Sequence, residues 1–201
     1  MATSRQIFDL TILNHRHRDM RALRRTHGLP SHHGNKLWRS SVLLMDYLQE
    51  FPISQGARVL EVGCGWGLAG IYSAKVFDAQ VTCSDLDASV LPFADHHAFI
   101  NQVTITTLQK GYQKFTGADL AHFDVLMGGD ICFWDEQASL VYNLVRRAQK
   151  NGVRTIIADP GRTPYAEMAL RACDKLGAMC DPWFVPHPHN ARGYILDVPA
   201  V

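Results

Sequence analysis

The stretch Arg58 to Gly70, RVLEVGCGWGLAG, runs from a short apolar segment into four glycines at Gly63, Gly65, Gly67 and Gly70. A Val- and Leu-rich run that stops at spaced glycines predicts a buried β-strand, a tight turn and the start of a helix. Glycine in such a turn lets backbone approach a ligand closely and offers N–H donors at the helix start. Two registers fit. One is Gly65-x-Gly67-x-x-Gly70 with Asp85 twenty residues further on, where a ribose-binding acid of a dinucleotide fold would stand. The other is Glu61-x-Gly63-x-Gly65-x-Gly67, in which an acid closes the strand beside the turn. In the first register Glu61 is a carboxylate near the end of a buried strand with no evident purpose, a costly placement for an unpaired charge.

Outward from this turn, ARVLEV, AQVTCSD, VTITTL, FDVLMGG and VRTIIAD are short runs rich in β-branched and large apolar residues. They alternate with the helical runs LAGIYSAKVF, ASVLPFADHHAFIN, EQASLVYNLVRRAQ and YAEMALRACDKLG. Alternation of this kind predicts βαβ units and a parallel sheet covered on both faces. After the last helix, MCDPWFVP and GYILDV are joined by too few residues for a crossover, so they are expected to form an antiparallel hairpin. The expected fold is α/β: a Rossmann-like seven-stranded sheet of five parallel strands plus a C-terminal antiparallel hairpin. The first third reads as polar and helical, giving a helical extension over 1–35 and one domain over 36–201.

Five parallel strands followed by a hairpin, with Glu61 and the glycines at the first strand end, resembles the class I, seven-stranded S-adenosylmethionine-dependent methyltransferases over roughly 36–201. The resemblance implies S-adenosylmethionine as cofactor. Trp38, Glu61, Gly63, Cys64, Gly65, Gly67, Asp85, Leu86 and Gly129 are then the residues expected at it, with Glu61 near the methionine ammonium and Asp85 on the ribose hydroxyls. Gln109 and Tyr112 are the candidates near adenine, because no acid-and-tryptophan pair follows the third parallel strand in LQKGYQKFTGADL.

FDVLMGGDICFWDEQ places Asp130 just past the fourth strand, where open α/β sheets present their ligands, and Phe133 three residues later. This resembles the acid-x-x-Tyr/Phe motif of the non-SET protein lysine methyltransferases. KLWRSSVLLMDYL, with Trp38, is similar to that family's segment over the cofactor. IIADPGRTPY, with Asp159, Pro160, Gly161 and Arg162, is similar to the DPGR of the subgroup acting on the β-subunit of electron-transfer flavoprotein. Phe133 stands where many members carry tyrosine. The resemblance implies Asp130 and Phe133 as catalytic residues, Asp159 and Arg162 as substrate-binding ones, and a protein lysine as acceptor. A small-molecule methyltransferase and a cofactor-binding regulator without catalysis are the alternatives.

Composition narrows the partners. With 20 Lys and Arg against 19 Asp and Glu, the chain carries no global field for nucleic acid or a membrane surface. No run reaches the ~18 apolar residues of a membrane span and no leader pattern opens the chain, so a cytoplasmic location is expected. Five cysteines without a CxxC pair fit reduced thiols. The pairs His32 and His33, His96 and His97, and His187 with His189 lack a completing ligand at zinc spacing, so no metal is expected. NHRHRDMRALRRTHG puts Arg16, Arg18, Arg21, Arg24 and Arg25 in one helical segment, a solvated face or a dock for an acidic protein or RNA.

Overall fold

The computed structural model describes residues 3–28 and 36–201; the His32 and His33 pair lies outside them. In chain order the elements are β1 (Ser4–Ile7), β2 (Leu10–Leu13), α1 (Arg18–His27), α2 (Arg39–Glu50), β3 (Arg58–Val62), α3 (Leu68–Phe77), β4 (Gln80–Asp85), α4 (Leu91–Ile100), β5 (Thr106–Gln109), α5 (Gly117–Leu120), β6 (Val125–Gly129), α6 (Asp135–Lys150), β7 (Arg154–Asp159), α7 (Thr163–Leu176), β8 (Met179–Val185) and β9 (Ala191–Val198).

Seven of the strands form one sheet in the order β5-β4-β3-β6-β7-β9-β8. The first five of these pair in parallel, while β9 runs antiparallel to both β7 and β8, as the sequence predicts. β3 reads RVLEV and β6 VLMGG because both are covered on two faces and have no solvated side to alternate toward. One face buries Leu43, Leu48, Ile71, Tyr72 and Phe93 from α2, α3 and α4. The other buries Tyr142, Leu144, Val145, Tyr165 and Met168 from α6 and α7. The strand order reverses direction between β3 and β6, so a crevice opens at their C-terminal ends. Asp85 closes β4, Asp130 follows β6 directly and Asp159 closes β7, so three carboxylates arrive at this end of the sheet.

The amino-terminal part departs from the expected helical extension. It opens with the β1–β2 hairpin, in register Ile7↔Leu10 and Arg5↔Ile12, and α1 follows. Ile7, Leu10, Ile12 and Leu13 are buried, which holds the hairpin on the body of the fold. Its two-residue turn is Phe8-Asp9, with Phe8 at φ 48°, and it lacks the Asn-Gly or Gly pair by which such turns are recognised in sequence. Against α4, the Asn101 carboxamide accepts the Thr11 N–H (2.8 Å) and donates to the Thr11 carbonyl (2.9 Å).

The α4 histidines are divided between surface and core. His96 Nε2 lies 3.3 Å from Asp19 of α1. His97 is fully buried, takes the Leu13 N–H on Nε2 (3.3 Å) and therefore donates from Nδ1 to the Phe93 carbonyl (2.8 Å). His189 packs against Phe8, with ring centroids 4.7 Å apart. All five cysteines are free thiols. Among the described residues no helix is long and apolar enough to cross a membrane.

Candidate active site

A cavity of about 570 Å³ occupies the crevice, walled by Trp38, Gly63, Gly65, Asp85, Asp130 and Phe133, with Leu86, Tyr112, Gly129 and Trp134 also on its lining. Its floor is the turn between β3 and α3. Gly65 lies at φ 52°, a left-handed conformation that side chains resist, and a Cβ there would meet nothing within 4 Å. The open space above Gly65 is therefore the cavity itself rather than core. At Gly63, φ 59°, a Cβ would strike Ile131 Cγ2 at 2.7 Å, so this glycine lets the loop after β6 pack close.

Asp85 ties the turn to the neighbouring strand. Its Oδ2 accepts the Gly65 N–H and its Oδ1 the Asp87 N–H, each at 3.0 Å. Burial pushes this carboxyl above its usual range, and those backbone donors pull the other way. Each oxygen retains lone-pair capacity toward the cavity it lines.

Three expected cofactor residues fall elsewhere. Glu61 does not line the cavity: it is buried, and its Oε2 accepts the Gly70 N–H at 2.8 Å and contacts Cys83 Sγ at 3.6 Å. The carboxylate placed by sequence beside a ligand ammonium thus clamps β3 to α3. Burial raises its pKa to about 7, against the pull of the Gly70 N–H. Gly67 abuts Ala94 and Cys83, and Cys64 is buried with its N–H on the Ser84 carbonyl (3.1 Å). All three hold the turn from behind. Of the two adenine candidates, Tyr112 lines the cavity, whereas Gln109 sends its side-chain N–H toward the Leu86 carbonyl at 3.4 Å.

Opposite the glycine turn, Asp130 is 7% exposed and sits at φ 55° directly after β6, its N–H held by the Ala158 carbonyl at 2.9 Å. A non-glycine residue in this region costs of order 1–3 kcal/mol and persists where its surroundings fix it. Arg162, expected to bind substrate, joins the same cluster. One guanidinium nitrogen lies 2.7 Å from Asp130 Oδ1 and 2.7 Å from Asp159 Oδ2, and the group sits 4.1 Å over the Phe133 ring. Burial lowers the Arg162 pKa, but the two carboxylates outweigh it and the net direction is up.

Asp159 is 1% exposed, and its Oδ1 also accepts the N–H groups of Gly161 and Arg162 at 2.9 Å. It therefore aims Arg162 rather than meeting a substrate. Trp38, the residue before α2, stands edge-on to Phe133 with centroids 5.6 Å apart. Gly129 lets α2 pass over the end of β6, since a Cβ there would lie 3.2 Å from Ser40 Cβ.

Sequence reasoning missed Trp134, Gln137 and Leu140, which complete the outer wall. Gln137 Oε1 accepts the N–H groups of Phe133 (2.6 Å) and Trp134 (3.1 Å), fixing the turn that carries Phe133. A glutamine three residues past the residue preceding a helix is a legible capping signal, and WDEQ carries it.

Comparison with known proteins agrees with this fold. A Xenopus laevis electron transfer flavoprotein beta subunit lysine methyltransferase is 26% identical over 131 residues, covering 64% of this chain and 52% of that protein. A Dictyostelium discoideum histidine protein methyltransferase 1 homolog is 32% identical over 126 residues, covering 59% of this chain and 40% of that protein. The chain thus spans about half the length of the curated relatives it matches, or less. The Pyrococcus abyssi tRNA (uracil-54, C5)-methyltransferase, solved with S-adenosyl-L-homocysteine, superposes with a TM-score of 0.64 at 17% identity, over 96% of this chain and 42% of that one, which is a likeness of fold. A model of the family described as lysine methyltransferase matches residues 18–164, and with that match, on a Rossmann-like methyltransferase sheet, the chain belongs to the lysine methyltransferase family.

Proposed function

We propose that this chain transfers the methyl group of S-adenosylmethionine to the side-chain amine of a lysine on a protein acceptor. The observation that carries the acceptor reading is the buried Asp130 carboxylate beside Phe133, in the same cavity as Gly63, Gly65 and Asp85. The cavity fits the cofactor: the space a Cβ at Gly65 would enter is open, and Asp85 offers two oxygens beside it. In this reading Asp85 takes the ribose hydroxyls, Leu86 and Tyr112 flank the base, and Trp38, Gly63, Gly65 and Gly129 surround the methionine end. When bound, S-adenosylmethionine supplies a methyl already activated on a sulfonium, so the acceptor needs only position and a free electron pair.

A lysine amine has an ordinary pKa of ~10.4 and arrives as an ammonium. Asp130, Asp159 and Arg162 together carry one net negative charge, which attracts that cation. Phe133 offers a ring face worth ~0.5–2 kcal/mol to a cation, and it shares that face with Arg162. Asp130 then holds the amine through a hydrogen bond while its proton passes to water. Radiolabelled methyl transfer into a lysate of the source cells, resolved by size and mass-mapped to the modified residue, tests the proposal. Label on a protein lysine supports it. Label on histidine, or on small molecules alone, overturns the acceptor assignment.

A further inference from the structure

The first 36 residues hold seven of the chain's twenty Lys and Arg but only two of its nineteen Asp and Glu, so the near-neutral total hides a basic extension on an acidic body. Between that extension and the glycine turn lies a second cleft, of about 450 Å³, lined by Arg5, Ile12, Leu13, His15, Lys36 and Trp66 among others, with no Asp or Glu among the described lining residues. That volume is in the range of ligand-sized sites. Arg5 has no carboxylate or carbonyl paired with its guanidinium among the described residues. Arg5 stands exposed at the edge of the cleft, and the part of its side chain that packs there draws its pKa down. Trp66 contributes an indole whose N–H has no acceptor among the described residues. Two cations on an acid-free lining, beside an indole N–H without an acceptor, favour an anionic, multiply accepting ligand.

The cleft also adjoins the methyl-transfer cavity. Lys36 lines the cleft and holds its ammonium 4.1 Å over the ring of Trp38, which lines the cavity. Gly65 faces the cavity and its neighbour Trp66 the cleft. α1 is tied to the cleft by Arg24, which donates to the carbonyl of the lining residue His15, and it exposes Arg21 and Arg25 beyond, while Arg18 is paired with Asp19. We propose that this cleft and the basic face of α1 dock an acidic segment of the methyl-acceptor protein, an inference that rests on the protein-acceptor reading above. Asp or Glu side chains fit Arg5 and Lys36 as charge partners, and a polypeptide long enough to reach both openings would present its lysine at Asp130. Nucleic acid fits less well. Trp66 is 5% exposed and stacked on His97 at 5.1 Å, so it offers no free face for a base.

The test uses the full chain and a fluorescein-labelled hexaglutamate peptide, read by anisotropy at low and at 0.3 M salt. Saturable binding that weakens with salt is expected, with Arg5→Glu weakening it at least tenfold. Lys150→Glu, the same charge change at the far end of α6, should alter it less than threefold. S-adenosylhomocysteine affinity, by calorimetry, should be unchanged in both variants. In the lysate assay, Arg5→Glu should reduce protein labelling at least fivefold. Equal losses in the two variants, no peptide binding, or tighter and Arg5-dependent binding of an oligouridylate would overturn the dock. Peptide binding with unaffected labelling would overturn its role in acceptor recognition. A wild-type lysate with no labelled protein would instead remove the protein-acceptor reading, while the peptide measurement still reports on the cleft.

Discussion

Asp130→Asn preserves the shape of the side chain and removes one charge, leaving Arg162 balanced by Asp159 alone. In the native cluster two carboxylates flank one guanidinium at 2.7 Å each, and the surplus is one negative charge. A unit charge acting on an ammonium ~4 Å away, at an effective dielectric near 20, contributes roughly 4 kcal/mol. Arg162 is 25% exposed, so solvent reaches the cluster and screens part of this, leaving ~2–3 kcal/mol. At ~1.4 kcal/mol per tenfold, kcat/KM for a cationic acceptor should fall by about 30- to 140-fold. Cofactor affinity should not change, because no atom of Asp130 is needed on the Gly65–Asp85 side of the cavity. The assay pairs calorimetry with S-adenosylhomocysteine and initial rates on the acceptor protein identified by the lysate labelling. Unreduced turnover in Asp130→Asn would remove the charge from the mechanism, and equal loss of cofactor affinity would show that the residue acts through the fold.

Other expectations follow from the same geometry. Asp85→Ala should weaken S-adenosylhomocysteine by ~1.5–3 kcal/mol in calorimetry, the scale of a lost charged hydrogen-bond partner, and it also frees the Gly65 N–H that this carboxylate holds. Gly65→Val should abolish cofactor binding with circular dichroism largely unchanged, since its branched side chain enters open cavity and resists the local φ of 52° in a turn outside the core; retained binding would refute the assigned floor. His97 must be neutral to accept the Leu13 N–H, and burial lowers its pKa to about 4 from the usual 6.5. Its contribution is thus complete above pH 6.5 and is lost as pH falls toward 4, by up to roughly 3 kcal/mol. Denaturant titrations at pH 7 and pH 5 should show this loss in the wild type and a much smaller one in His97→Gln; equal losses would refute it.

The sheet was legible because burial on two faces writes β3, β6 and β7 as apolar runs, and helices of ten or more residues follow β3, β4, β6 and β7. Asp85, Asp130 and Asp159 were legible for a related reason: a carboxylate that ends such a run must emerge at the C-terminal edge of the sheet. The β1–β2 hairpin was not. Its strands have four residues each, and Phe8 occupies a left-handed turn position that sequence assigns to glycine or asparagine. Arg162 was read as substrate-binding from its DPGR resemblance, and its contact with Asp130 was not legible, because a 32-residue separation carries no sign that β6 and β7 are neighbours whose ends meet.

The glycine run shows where pattern stops and packing takes over. GCGWGLAG reads as one ligand-binding loop, yet each glycine meets a different neighbour. Gly65 opens on the cavity, Gly63 admits Ile131, Gly67 admits Ala94 and Cys83, and Gly70 admits Val81 and the Glu61 carboxylate at 2.8 Å each. The acid that seemed to select the cofactor therefore selects the approach of α3 to β3. A buried carboxylate held by the Gly70 N–H and the Cys83 thiol serves that packing whichever nucleotide lies above it, so Glu61 cannot distinguish the two registers. What separates them is the antiparallel β9 inserted between β7 and β8. Its Gly193 leaves no room for a Cβ, which would lie 2.5 Å from the Asp159 carbonyl, and this close approach sets the strand end from which Arg162 reaches Asp130.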